Sequence, residues 1–215
     1  MKKTVVLSVG GSLINPGKIN TGFLKKLRAQ IKNSPYKTVL VCGGGKIARE
    51  YAAAAKKLGL AREKQDIVGI AATHLNAELV RQLFSAKKVH SKPEIVKEKI
   101  IIAAGWKPGC STDYDAVLWA EKLKAKHLVN LTNTDYIYDK NPKLKGAKPY
   151  KRVDWKEYFS IIPKKWKPGL STPFDPIAAR KASKLNLKVA CINGKRITQL
   201  EKYLSGKKFI GTVIE

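Results

Sequence analysis

The chain has 215 residues, 44% of them hydrophobic, and a formal net charge of +27. That length fits one large domain, and that hydrophobic share excludes a disordered chain. No apolar run reaches the roughly 18 residues of a membrane span, and the short apolar stretch after Lys2-Lys3 runs into a glycine turn, as a first core strand does and a secretion signal does not. Cys42, Cys110 and Cys191 are far apart, with no C-x-x-C pair, so the reading is buried thiols in a reducing cytoplasm and no metal site. The charge invites a nucleic-acid reading, but the lysines come as scattered pairs such as Lys25-Lys26, Lys56-Lys57 and Lys87-Lys88. Such pairs read as solubilising helix faces that also concentrate anionic substrates, so no dedicated nucleic-acid partner and no membrane partner are expected.

In chain order, β-branched apolar runs at 4–9, 38–42, 99–103, 127–132, 188–192 and 209–214 read as strands, several of them apolar on both faces. Between them, 22–33, 46–58, 66–86, 113–124, 175–185 and 197–204 carry helical period. The helix at 46–58 contains Ala52-Ala53-Ala54-Ala55 and stops at Gly59, while Asp175-Pro176 sets an N-cap acceptor before a proline at the first helical position. Strand–helix alternation predicts a three-layer α/β/α sandwich with a mostly parallel open central sheet, built as a single domain over 1–215. The weakly periodic segment 139–172, rich in Lys, Pro and Trp, is too long for an ordinary connection and reads as a lid or an insertion.

Ligands of open α/β sheets bind beyond the carboxyl ends of the strands. Glycines cluster there: Gly10-Gly11-Ser12 after the first strand, Gly43-Gly44-Gly45 after the second, and Gly105 through Gly109 after the third. Glycine lets backbone N–H groups approach a ligand, and a helix start adds free donors and partial positive charge, so three such turns on one sheet edge point to phosphate binding. Neither G-x-x-x-x-G-K-[ST] nor G-x-G-x-x-G is present, since Gly45-Lys46 is followed by Ile47, so the cradle is neither a P-loop nor a dinucleotide turn.

The ordered set Gly10-Gly11-Ser12, Gly43-Gly44-Gly45-Lys46-Ile47-Ala48-Arg49, Pro108-Gly109-Cys110-Ser111-Thr112-Asp113, Thr132-Asn133-Thr134-Asp135-Tyr136-Ile137-Tyr138 and Phe174-Asp175-Pro176-Ile177 resembles the amino-acid kinase superfamily, and within it the archaeal-type uridylate kinases. The likeness runs over nearly the whole chain. It implies the amino-acid kinase fold, transfer of the ATP γ-phosphate to UMP with Mg2+ carried on ATP, and a homohexamer. It places UMP against Gly44, Asp66, Trp106, Lys107, Pro108, Gly109, Cys110, Ser111 and Thr112, with Asp66 on the ribose. It places ATP phosphates against Gly10, Gly11, Ser12, Gly45 and Arg49, and the adenosine half against Thr132, Tyr138 and Asn141. Arg49 and Lys46 are the candidate cations at the transferred group, and Asp113 is expected to orient neighbouring groups or metal-bound water, with simple N-capping as its structural alternative. Arg49 after the three glycines favours a uridylate kinase over an isopentenyl phosphate kinase, where a His is expected.

Several positions depart from the family pattern. Ser8 stands where many members carry Lys, Tyr136 follows Asp135 where glycine is usual, Asn141 replaces an Asp, and His74 replaces an Arg. His74 reads as a helix-surface histidine, and Asn76, which matches the family, reads equally as helix packing. Two other functions compete: another acceptor on the same fold, such as isopentenyl phosphate or acetylglutamate, and an RNA-binding protein using the basic surface.

Overall fold

The structure is a computed structural model and describes residues 3–163 and 172–215. Alternate side chains of each central strand feed opposite faces of the sheet. Along β1 (Thr4–Val9), Val6 joins one buried cluster while Val5, Leu7 and Val9 join the other. β2 (Lys37–Cys42) divides likewise, with Val39 and Val41 on the first side and Leu40 and Cys42 on the second. These strands are therefore apolar on both faces because helices cover both.

After β1, one turn of helix, α1 (Gly11–Ile14), leads to α2 (Thr21–Lys32); after β2 come α3 (Gly45–Lys57) and the long α4 (Arg62–Phe84). Then follow β3 (Val89–His90), β4 (Ile100–Ala103), α5 (Thr112–Lys122), β5 (His127–Thr132), β6 (Ile137–Tyr138), β7 (Pro149–Tyr150), β8 (Arg152–Val153) and α6 (Trp155–Ile161). The chain closes with α7 (Pro176–Lys184), β9 (Lys188–Asn193), a 3-10 turn at Gly194–Arg196, α8 (Thr198–Leu204) and β10 (Thr212–Ile214). The eight-stranded sheet has the order β3-β4-β2-β1-β5-β9-β10-β8, with β6 and β7 as a separate antiparallel pair. It is parallel from β3 through β9, and β10 runs antiparallel to β9. Among the described residues, no helix is long and apolar enough to cross a membrane.

The expected three-layer architecture is present, with local differences. The strand expected at 209–214 begins only at Thr212, because the Ile210 N–H donates to Gln199 Oε1 (2.9 Å) and Phe209 packs on the Tyr203 ring instead of extending the ladder. α4 starts at Arg62, ahead of the expected 66, so Asp66 lies inside the helix. The segment 139–172 is in part structural: β8 edges the sheet beside β10, and α6 buries Tyr158. The Tyr158 hydroxyl donates to Phe174 O (2.6 Å) and accepts from Phe174 N (2.9 Å). Both backbone groups lie in a dry core, where each costs about 1–3 kcal/mol when left unpaired. Lys164 through Lys167 lie outside the described residues.

Candidate active site

Two glycine loops meet at the carboxyl edge of β1 and β2, and their backbones touch. A Cβ at Gly11 would overlap Gly45 N and lie 2.7 Å from both Gly43 C and Gly44 N, and one at Gly43 would lie 2.5 Å from Gly11 N. Gly45 has φ +69°, and a Cβ there would lie 2.5 Å from both Asn15 O and Gly11 O. These glycines are thus required to pack one loop on the other, a reason beyond ligand access. The loops are tied further by Gly43 N–H to Val9 O (2.9 Å) and Lys46 N–H to Asn15 O (2.9 Å). The Gly10 N–H is taken by Leu131 O (3.1 Å), so Gly10 shapes the turn and does not donate to a phosphate. Gly11 and Gly45 open α1 and α3, and Gly44 is the N-cap of α3. Their N–H groups meet no backbone acceptor among the described residues and form the donor set of the cradle.

Asn76 in α4 holds this cradle from below, donating from Nδ2 to Gly43 O (2.8 Å) and Gly44 O (3.1 Å). It is 2% exposed, so its two bonds replace all contact with water. Arg49 lies one turn into α3, exposed, and enters no hydrogen bond or ion pair among the described residues. Lys46 is committed differently: its ammonium sits 3.4 Å from Glu50 Oε1, and its side chain lies against Gly17.

The loop after β4 is clamped at several points. The Gly105 N–H donates to Thr73 Oγ1 (2.8 Å), and Gly105 O meets His74 Nε2 at 3.1 Å, both partners being on α4. His74 is therefore a loop contact, not the idle surface residue expected. Asp66 Oδ2 accepts the Gly109 N–H (2.9 Å), and Asp115 Oδ2 accepts the Trp106 N–H (3.1 Å). Gly109, at φ +78°, takes a turn that only glycine adopts without strain. Lys107 Nζ lies 4.6 Å from the Trp106 ring centre. Trp106, Lys107, Gly109, Cys110 and Ser111 line a cavity of 370 Å³, completed by Tyr114, Leu118, Asp175 and Ile177. Asp175 and Ile177 belong to a stretch that the sequence marked as a helix start and a family motif, not as part of the acceptor site.

Asp113 joins the two halves. Its Oδ1 accepts the Ser8 hydroxyl (2.7 Å), two residues before the first glycine turn, and its Oδ2 accepts the Asp175 N–H (3.1 Å). It is not the helix cap: Ser111 Oγ accepts the Tyr114 N–H (3.1 Å) and caps α5. Ser8, read from sequence as a missing lysine, is the partner that fixes this carboxylate. Burial pushes the Asp113 carboxyl up to about 6, with the nearby Asp175 adding to the rise and the Ser8 hydrogen bond opposing it. Burial likewise raises Asp115 to about 7, and its Oδ1 has no hydrogen-bond partner among the described residues. Asp175 is also raised by burial, while its Oδ1 accepts the N–H groups of Ile177 (2.8 Å) and Ala178 (2.7 Å) at the start of α7.

A second cavity, 660 Å³, opens beyond β5 and contains Thr132, Tyr138 and Asn141 together with Thr134, Tyr136 and Pro173. The fold thus gathers the three residues expected at an adenosine, although Asn141 Oδ1 already accepts the Lys143 N–H (3.0 Å). Asp135 binds Asn193 Nδ2 (2.7 Å) and Arg196 Nε (3.0 Å), anchoring the turn that carries Tyr136. No cluster of three metal-ligating side chains occurs among the described residues. A larger groove of 810 Å³ lies between α2 and α8, bridged by Gln30 and Glu201, and takes in none of the glycine loops.

Known proteins are similar to this chain in sequence and in fold. The sequence profile of the Amino acid kinase family matches residues 3–193. The chain is 31% identical to a uridylate kinase of Hyperthermus butylicus over 99% of its own length and 98% of the relative's. It is 34% identical to that of Archaeoglobus fulgidus, covering 98% and 99%. The crystal structure of uridylate kinase from Archaeoglobus fulgidus superposes with a TM-score of 0.78 at 29% identity, covering all of both chains. The UMP kinase of Bacillus anthracis, 20% identical over 100% of this chain and 96% of its own, shares the fold at a TM-score of 0.83. A profile match over nearly the whole chain, on a sheet whose strand tips carry these loops, places the chain in the amino acid kinase family.

Proposed function

We propose that the chain transfers the γ-phosphoryl group of ATP to UMP, giving ADP and UDP. The observation that carries this reading is the pairing of Ser8 with Asp113, which joins the glycine cradle to a clamped acceptor loop at one sheet edge. Full-length relatives named uridylate kinase support the same acceptor. A UMP phosphate oxygen forms the new bond to the γ-phosphorus as the bond to the ADP oxygen breaks. The phosphate attacks already ionised, so the protein's task is in-line positioning and charge stabilisation. Gly11, Gly44 and Gly45 N–H groups, with Arg49, face the moving group, and Arg49 can take two phosphate oxygens at once. Asp66 and the loop from Trp106 to Thr112 hold UMP, and the cavity at Thr132, Tyr138 and Asn141 holds the adenosine. Magnesium arrives on ATP and neutralises phosphate charge. In a coupled ADP-release assay with ATP, magnesium and single acceptors, UMP gives strong turnover, while CMP, AMP, isopentenyl phosphate and acetylglutamate give little. Turnover with another acceptor and not UMP overturns the substrate assignment.

The chain is further proposed to assemble as a homo-oligomer, a hexamer by family resemblance. α4 exposes Ile67, Leu75 and Leu79, and α3, which packs on it, exposes Tyr51 and its C-cap Leu58. Such a patch marks an interface in a soluble protein. Light scattering is expected to give a multiple of the chain mass that Leu75→Glu reduces; an unchanged monomeric mass for the wild type rejects assembly.

A further inference from the structure

The sequence scatters its lysines, but the sheet collects some of them. β4, β2, β1, β5 and β9 are consecutive and parallel, so they begin along one edge, opposite the glycine loops. Each strand begins at or directly after a lysine: Lys99, Lys37, Lys3, Lys126 and Lys188. Their register is fixed. The Thr38 N–H donates to Lys99 O (2.8 Å), the Lys37 N–H donates to Lys3 O (3.0 Å), and His127 pairs with Val5 on one side and Lys188 on the other. At about 4.8 Å per strand, the five positions make a row roughly 19 Å long. Lys32 of α2, Lys122 of α5 and Lys184 of α7 add helix C-terminal cations beside it.

Little neutralises this row. Glu215 is taken by Lys188 (2.5 Å) and Arg152, and Lys37 Nζ bonds Val96 O. Lys3, Lys99 and Lys126 are exposed and enter no ion pair among the described residues. Glu98 stands beside Lys99 but interacts with Lys87 and His90, while Asp113, Asp115 and Asp175 lie at the far end of the sheet, at the acceptor loop. The field reaches His127, whose ring is held below its ordinary value first by burial, then by Lys188, Lys3 and Lys126. Cations in a last helical turn offset the helix dipole. The N-terminal end of a parallel strand presents no partial negative charge, so that explanation does not cover the strand-entry lysines.

We propose that this edge binds the sugar–phosphate backbone of a nucleic acid without reading its sequence. Lys99, Lys37 and Lys126 share one level of the register, with Lys3 one residue before it and Lys188 one after, so the row serves both faces of the edge. A narrow band of flexible ammonium groups matches a linear array of phosphates better than it matches a flat membrane. Among the described residues the most exposed aromatic side chains are Tyr51 and Trp106, which lie on α3 and the acceptor loop and not in the row. The edge is remote from the phosphoryl-transfer loops, so kinase activity and nucleic-acid binding do not compete.

The test is fluorescence anisotropy of a labelled mixed-sequence single-stranded RNA, titrated between about 50 and 200 mM salt. Saturable binding is expected, with log K against log salt falling at a slope of roughly −3.5, from about five neutralised phosphates at about 0.7 each. The triple variant Lys3→Gln, Lys99→Gln, Lys126→Gln brings the slope about 2 closer to zero and leaves UMP turnover unchanged. A control of equal charge change, Lys18→Gln, Lys25→Gln, Lys56→Gln, keeps the wild-type slope. Absence of saturable binding overturns the proposal. So does an equal loss in both triple variants, which traces binding to net charge, or capture by phosphatidylserine vesicles with none by RNA.

Discussion

Gly11→Ala lowers kcat/KM for UMP by about 10²- to 10³-fold, the scale set by misplacing phosphate donors by an ångström. The added methyl overlaps Gly45 N and presses on Gly43 C and Gly44 N, which are backbone atoms and cannot turn aside. The two loops must separate, and the donors on Gly11, Gly44 and Gly45 lose their common focus. Stability falls by roughly 1–3 kcal/mol, as for other overpacked sites. Gly69→Ala is the control. Gly69 lies in α4 with open space around its would-be Cβ, so alanine there raises stability by about 1 kcal/mol through helix propensity and leaves kcat/KM unchanged. Steady-state kinetics and urea unfolding of both variants measure this. Wild-type activity in Gly11→Ala would mean that the cradle is not the phosphate site.

The strands and the glycine loops were legible because each has a local signature. β1 and β2 are apolar on both faces, and Gly10 and Gly43 follow them at once. Glycine does not announce its own reason, however. The loops were read as open to phosphate, and the structure adds that Gly11, Gly43 and Gly45 are needed for backbone-to-backbone contact. The clamps were hidden for a different cause. Thr73, His74, Asn76 and Asp115 act on backbone groups of other elements: Thr73, His74 and Asn76 reach Gly105, Gly43 and Gly44 from 31 to 33 positions away, and Asp115 holds Trp106 across its own loop. A polar helix residue whose partner is a main-chain N–H or C=O leaves no pattern in the sequence. β3 and β8, two residues each, are too short to show any period. The basic edge was missed for the same reason as the clamps, since only the order of the strands brings Lys3, Lys99 and Lys126 into line.

Asp113→Asn lowers kcat by about 10²-fold or more while KM for UMP moves by less than about threefold. The substitution is close to isosteric. Its amide oxygen can accept the Asp175 N–H, and its NH₂ can donate to the Ser8 hydroxyl oxygen, so the junction of β1, α5 and α7 survives and only the charge is lost. The pH profile separates a charge role from a scaffold role. With its carboxyl at about 6 in the free protein, wild-type kcat/KM declines as pH falls through 6, because the ionised form is the active one. Cations brought by the bound nucleotide favour the carboxylate, so the acid limb on kcat lies at lower pH than that on kcat/KM. The second ionisation of a phosphate monoester also falls near 6, and the variant resolves the overlap. Asp113→Asn keeps the limb owed to UMP and loses the rest, so its profile is shallower than that of the wild type. Identical limbs in both proteins, or a variant with full kcat, would confine Asp113 to holding Ser8 and the start of α7 in place.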